Sequence, residues 1–339
     1  MLGAGNRSRA CEKNKGRLMN RLFVIGDLHF SQAVNKPMDI FGKQWENHQE
    51  RICQSWRETV DDGDVVVVNG DISWGLKLSE ALPDLALIDS LPGKKIIMKG
   101  NHELWWSTLT KVRQLFKDNN LNTLFPLYNN AYFWPERGLL LCGTRGWKTR
   151  DDPAFCEEDE KIYNRELQRA RVSVNYGLRL AEGYYKGGQF APAEIIGGAA
   201  GTGEITGGEA GIGKITAGEA GAGKITDGEA GIGKITGGET GTAEIIGGET
   251  GKKIGNAEVP EIIMFFHYPP FDFAKRNPTD FTQILQENNI KKCFFGHIHG
   301  AGKTKYNENG AVMPVFRDGS AAYYLTAADY LGLCPAEIL

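Results

Sequence analysis

The 339-residue chain has no run of about 18 consecutive apolar residues, so no transmembrane helix is expected. Its six cysteines (Cys11, Cys53, Cys142, Cys156, Cys293 and Cys334) are scattered and form no CxxC. That spacing speaks against a disulfide framework or a zinc ribbon and for reduced thiols. The formal net charge of -3 gives no cause to expect a polyanionic partner or an acidic membrane surface. The opening segment, MLGAGNRSRACEKNKGRLMN, is basic but lacks the apolar stretch of a secretory signal. A cytoplasmic location is therefore expected, with residues 1–18 a disordered leader or Met19 the true start.

What is abundant is glycine, and it is unevenly placed. Of 44 glycines, 20 fall between residues 194 and 251. There a ten-residue unit recurs as EITGGEAGIG, KITAGEAGAG, KITDGEAGIG and KITGGETGTA, with Ile195, Ile205, Ile215, Ile225, Ile235 and Ile245 in register. Short repeats can stack into solenoids. One constant isoleucine per unit is little to set against the conformational entropy of glycine, so a flexible or weakly β insert over 186–258 is expected. The rest, 41% hydrophobic and 24% charged over the whole chain, has enough apolar residues for a core. It divides into a first part, 19–185, and a second, 259–339.

Outside the insert, short apolar runs alternate with helix-compatible stretches. Strands are predicted at Arg21 to Gly26, Asp64 to Asn69, Lys95 to Lys99, Leu139 to Gly143, Glu261 to His267 and from Lys292 toward His299. Helices are predicted over 45–60, 76–90, 157–182 and 279–288, and closing β structure over 312–316 and 321–326. Such alternation predicts sheets covered by helices.

Asp27, Asp71, Asn101, His267 and His297 each stand where one of these runs ends. Ligands of α/β sheets bind outside the carboxyl ends of the strands, so five strands would deliver polar side chains to one rim. A lone histidine at a strand end is more often structural than a ligand, and Gly-Asp and Gly-Asn are common turn dipeptides. Here, however, five of the six histidines, all but His48, fall in these clusters. Asp27 and His29, and likewise His297 and His299, are spaced i, i+2, so in extended backbone each pair would face one ion. Carboxylate and imidazole donors without cysteine suit manganese, iron or zinc. The seven candidates (Asp27, His29, Asp71, Asn101, His267, His297 and His299) are too many for one ion and fit two, with Asp71 able to bridge.

The ordered series Asp27-Leu28-His29, Gly70-Asp71, Gly100-Asn101-His102-Glu103, His267 and Gly296-His297-Ile298-His299 resembles the calcineurin-like metallophosphoesterases. The stretches KPMDIFG, GDISW, SLPGKKIIMKGNHE, GTRGW and HYPP are similar to a bacterial subgroup of predicted phosphohydrolases, which implies that Tyr184 and Glu261 would be near neighbours without the repeat. The resemblance implies a four-layer α/β/β/α metallophosphoesterase sandwich with a dinuclear centre between its sheets. One divalent ion would be held by Asp27, His29, Asp71 and His299. The other would be held by Asp71, Asn101, His267 and His297, with manganese favoured. His102 matches the family's catalytic histidine. Phosphoprotein phosphatases continue Gly-Asp with xVDRG, whereas this chain continues with Ile72-Ser73-Trp74-Gly75, which disfavours that branch. Glu103, where the subgroup more often has aspartate, bears on fine positioning only.

The expected activity is phosphomonoester or phosphodiester hydrolysis of a small phosphoester. A hydroxide bridging two cations attacks phosphorus, and His102 assists the leaving group. Arg145, Trp147 and Tyr268, together with Trp105 and Trp106, are candidates for the substrate pocket, weighed against core packing for the aromatics and a surface ion pair for the arginine. The alternatives are a nuclease, disfavoured by the acidic charge and the lack of a basic stripe, and a non-catalytic metal-binding scaffold. No membrane partner is expected.

Overall fold

Parallel strands need crossover connections, and here helices supply most of them. In a computed structural model, which describes residues 20–186, 195–196, 253–254 and 257–339, the chain starts as β1 (Leu22–Ile25), α1 (His48–Thr59), β2 (Val65–Val68), α2 (Leu78–Asp89), β3 (Lys94–Met98), α3 (Leu109–Asp118) and β4 (Leu124–Leu127). There follow β5 (Ala131–Trp134), β6 (Leu139–Thr144), α4 (Glu157–Tyr185), β7 (Lys253–Ile254), β8 (Ala257–Glu258) and β9 (Glu261–Phe266). The chain closes with α5 (Asp280–Glu287), β10 (Lys292–Phe295), β11 (Phe316–Asp318), β12 (Ala321–Leu325) and β13 (Ala336–Glu337).

Two sheets form. The first runs β13-β1-β2-β3-β4 and the second β11-β12-β10-β9-β6-β5, while among the described residues β7 and β8 pair only with each other. In the first sheet β1 to β4 are parallel and β13 is antiparallel to β1. In the second, β6, β9, β10 and β12 are parallel, with β5 and β11 antiparallel at the two edges. The parallel strands are buried along nearly their whole length, as continuous apolar runs such as Val65–Val68 require. The sheets share one core, and across the interface Asn69 Nδ2 at the end of β2 donates to Phe266 O in β9 (3.1 Å) and to Thr326 Oγ1 (2.9 Å). Helix α4 covers β5 and β6 from outside and meets α5. This is the α/β sandwich the motif series implied.

The expected strands and helices are present with ends shifted by a few residues, except that the β structure expected over 312–316 is an isolated bridge at Val312 followed by β11 from Phe316 onward. Four elements between His102 and Leu139 were not expected: α3, β4, β5 and a 3-10 turn at Pro135–Arg137. Strand β4 contains Pro126, which cannot donate to a ladder, and it lies at the sheet edge where that loss is tolerated. The expected leader, residues 1–18, lies outside the described residues, as does the repeat apart from its first isoleucines. Ile195 forms a parallel bridge with Phe133 of β5, and Ile196 N donates to Phe133 O at 2.8 Å with its side chain buried.

Candidate metal centre

Five strand ends converge. Asp27 follows β1, Asp71 follows β2, Asn101 and His102 follow β3, His267 follows β9, and His297 and His299 follow β10. Asp27, His29, Asp71 and His297 have φ of 58°, 49°, 51° and 69°, the left-handed region that costs a non-glycine residue free energy. That backbone departs from the extended geometry assumed for the i, i+2 pairs. Two glycines are required by close approach. A Cβ on Gly100 would overlap Asp71 Oδ1, and one on Gly296 would overlap Asp27 Oδ2.

The acidic and imidazole groups sort into two clusters, Asp27–His29–His299 and Asp71–His267–His297, each with ligand atoms within 4.8 Å of one another. In the first, His29 Nε2 lies 3.2 Å from His299 Nε2, and His299 Nε2 lies 3.6 Å from Asp27 Oδ1. In the second, Asn101 Oδ1 sits between His267 Nε2 (2.7 Å) and His297 Nδ1 (2.9 Å). His297 and His299 therefore fall into different clusters, whereas their spacing alone had placed them on one ion. Asp71 Oδ2 joins the clusters, 3.8 Å from His29 Nε2 and 3.4 Å from His267 Nε2. His102 Nε2 is 3.8 Å from the same oxygen, and its side chain is 39% exposed, so it can reach a bound molecule.

Charges at the centre are strongly coupled. Burial pushes the Asp27 carboxyl up to about 6, against the pull of His267 and His299. Burial drives the imidazoles of His29 and His297 down to about 3, which leaves them neutral and able to ligate. Burial would lower His267 as well, but Asp71, Asp27 and Glu103 raise it to about 9. Asp71, although burial opposes it, is held well below the usual carboxylate range by His267, His29 and His102. Imidazole, carboxylate and amide oxygen atoms aimed at common points are the donor set of a divalent transition-metal ion, and the residues present fit two of them. A cation at the second cluster would displace the proton from His267.

Several residues support the candidate ligands, and Asp329 and Trp45 among them escaped the reading of the motifs. The carboxylate of Asp329 accepts from Gly300 N (2.9 Å) and lies 3.0 Å from His299 Nδ1, on the far side of the ring from Asp27. It is buried, on the segment after β12, and no pattern near it in sequence marks it. Trp74 stacks on His29 (4.8 Å between centroids) and lies 4.2 Å from His102, while Trp45 meets His299 edge-on at 5.4 Å. The fully buried Glu103 accepts from Gly100 N (2.5 Å), Ile72 N (2.5 Å) and Asp71 N (2.9 Å). It clamps the turn bearing Asp71 against the one bearing Asn101. Burial and the charge of Asp71 push its carboxyl up to about 7.

The substrate candidates divide. Tyr268 borders the second cluster, its ring 4.1 Å from that of His297. Trp147 lies behind it at 5.2 Å, with its indole N–H donating to Asp159 (2.9 Å). Arg145 stacks on Trp147 (4.3 Å) and pairs with the buried Glu166 (3.4 Å), a structural ion pair. Trp105 and Trp106 are each only 2% exposed and belong to the core, the role that had been weighed against a place at the pocket. Their ring N–H groups find no partner there among the described residues.

Residues 21–184 match the family model of calcineurin-like phosphoesterases. No curated protein matches the chain. Among solved structures, a protein of unknown function from Aquifex aeolicus is 16% identical, with 50% of this chain and 74% of that one covered and a TM-score of 0.28. The phosphopantetheinyl hydrolase of Mycobacterium tuberculosis is 12% identical, with 94% and 96% covered and a TM-score of 0.44. The family match ends before β9, yet the folded chain returns His267, His297 and His299 to the turns within the matched segment. The matched residues 21–184 and the two ligand clusters together support the calcineurin-like metallophosphoesterase superfamily for this chain.

Proposed function

We propose that the chain is a dinuclear-metal-dependent phosphoester hydrolase. One cation is held by Asp27, His29, Asp71 and His299, and the other by Asp71, Asn101, His267 and His297. The observation that carries this reading is the single oxygen, Asp71 Oδ2, facing imidazoles of both clusters at 3.8 and 3.4 Å. When bound, a pair of divalent cations supplies Lewis acidity toward phosphoryl oxygens and lowers the pKa of water at the site.

The protein's own groups do the rest. Glu103 fixes the spacing of the Asp71 and Asn101 turns through backbone N–H donors. His102, partly exposed beside Asp71, gives a proton to the oxygen of the departing alcohol. Burial lowers the His102 pKa although Asp71 opposes it. Its imidazolium is thereby a stronger acid, at the expense of its population at neutral pH. A protein Ser/Thr phosphatase is the weaker reading. At the position where those enzymes supply an aspartate to the catalytic histidine, this chain presents the Trp74 ring, 4.2 Å from His102.

The test is turnover of mono- and bis-p-nitrophenyl phosphate by protein stripped with chelator and resupplied with manganese, iron or zinc singly. Activity should vanish on stripping and return with two ions bound per chain. Turnover persisting in stripped protein would refute the reading.

Asp329 provides a second check. A carboxylate behind a ligating imidazole fixes the ring's orientation and raises its basicity, and losing such a partner weakens metal binding about 10- to 100-fold. Asp329→Asn should therefore raise the manganese dissociation constant of the first site by that factor, measured calorimetrically. An unchanged constant would reduce Asp329 to a loop-closing residue.

A further inference from the structure

A positive charge withdrawn from water needs a counter-charge or hydrogen-bond acceptors around it. Where β3, β4 and β6 end, Lys99, Arg145 and Arg169 line one small cavity together with Glu166. Glu166 is fully buried and both of its oxygens are occupied. Its Oε2 accepts from Thr144 Oγ1 (2.6 Å), and its Oε1 faces Arg169 Nη1 (2.6 Å) and Arg145 Nη2 (3.4 Å). Arg169 Nη2 donates to the Tyr128 hydroxyl (2.6 Å) and Lys99 Nζ to Trp106 O (3.0 Å), both uncharged acceptors. Three cations thus share one carboxylate at the cavity. Burial lowers the Lys99 pKa, and the charges of Arg145 and Arg169 act in the same direction. Arg145 Nε is buried and has no partner among the described residues.

The cluster adjoins the second group of ligands. Arg145 O accepts from the N–H groups of His267 (3.0 Å) and Tyr268 (2.9 Å), and Lys99 lies two residues before Asn101. Tyr268 stands between centre and cluster. Its ring is 4.1 Å from that of His297 and 5.2 Å from that of Trp147, on which the Arg145 guanidinium stacks at 4.3 Å. His102 lies toward the other group, its ring 5.6 Å from that of His29.

We infer that Lys99, Arg145 and Arg169 form an oxyanion site, separate from the metal positions, that takes a phosphate group. A phosphate supplies what the cluster lacks, negative charge together with acceptors for the Arg145 Nε–H and the Lys99 ammonium. Guanidinium and ammonium groups are the side chains that bind phosphate by charge-assisted hydrogen bonds. Two sources provide this chemistry. One is a second phosphate on the substrate, held here while the first lies at the centre, and this source rests on the proposed phosphoester hydrolysis. The other is free inorganic phosphate, which needs no turnover to bind.

The experiment compares propyl phosphate with propane-1,3-diyl bisphosphate on the manganese-loaded full chain, at fixed free manganese and ionic strength. A second phosphate held by the cluster should raise kcat/KM about 10- to 100-fold, the range of a hydrogen bond to a charged group. Lys99→Met keeps the apolar stem and removes the ammonium, so it should erase most of that preference, and Lys99→Arg should restore it. Arg169→Gln, which leaves Glu166 a donor, is the second variant should Lys99→Met lower Tm. In parallel, inorganic phosphate is titrated calorimetrically into the same proteins. A bisphosphate preference that is lost in Lys99→Met identifies the substrate as the source. Equal rates on the two esters, with two phosphates bound per chain and one of them lost in Lys99→Met, identify free phosphate. Equal rates with at most one phosphate bound overturn the inference, and hydrolysis of p-nitrophenyl phosphate then leaves the phosphoesterase reading standing. A preference or a second phosphate that persists in both Lys99→Met and Arg169→Gln also overturns it. Absence of turnover on every ester removes the phosphoesterase reading, and the phosphate titration then decides the cluster by itself.

Discussion

Asparagine in place of Asp71 is expected to abolish two-metal binding and to lower kcat by about two to four orders of magnitude. Asp71 Oδ2 faces both clusters, so the substitution takes the one shared negative charge from both positions at once. Cation assistance is worth several kcal/mol in the transition state, and each factor of ten corresponds to about 1.36 kcal/mol. Local structure should survive, because His102 N donates to Asp71 Oδ1 (2.9 Å) and an asparagine oxygen can accept the same bond. In metal-free protein the loss of that charge should also let the His267 pKa fall from about 9, since Asp71 is its strongest support. Metal analysis and imidazole NMR titration read both effects. Retention of two ions at unchanged affinity would exclude a bridging role for Asp71.

His102→Ala should have the next largest effect, and a different pattern. The ring lies 3.8 Å from Asp71 Oδ2 but belongs to neither ligand cluster, so both metals should stay bound at near-normal affinity. Turnover of an alkyl phosphoester should fall about 10²- to 10⁴-fold, the usual contribution of a general acid. Hydrolysis of p-nitrophenyl phosphate should fall much less, because that leaving group needs little protonation. Equal losses on both substrates would assign His102 to binding or charge neutralisation instead of proton transfer.

The two substitutions separate what kind of information each residue carried in the sequence. Asp71 and His102 sit inside short contiguous motifs after apolar runs, so their place at strand ends could be read directly. Asp329 could not be read in this way. Its relation to His299 depends on the path from β10 through β12, across 30 residues that carry no motif. Trp74 was legible only as the residue that makes Gly70-Asp71-Ile72-Ser73 depart from the phosphatase pattern. That its ring fills the space beside His102 required the fold. The missed elements have local causes. Pro126 argued against a strand at Leu124–Leu127, and although Ala131–Trp134 forms a local hairpin with β6, its other pairing, with Ile195, joins segments distant in sequence.

Local sequence settled which residues could coordinate. Carboxylate and imidazole side chains lie just past buried parallel strands, and a strand's alternation and length are properties of a few consecutive residues. The motif resemblance had implied the partition of those candidates into two groups, but spacing alone had not, and its physical cause lies in three dimensions. Left-handed backbone at Asp27, His29 and His297 breaks the two-residue periodicity that extended chain would impose. His297 consequently turns to Asn101 and His267, while His299 turns to His29 and Asp27. Such dihedrals cost free energy locally and persist because the packed sheets and the bonds from Asp27 N to Gly70 O, His29 N to Asp71 O and His297 N to the Asp27 carboxylate hold the turns in place, a constraint that exists only once distant parts of the chain have met.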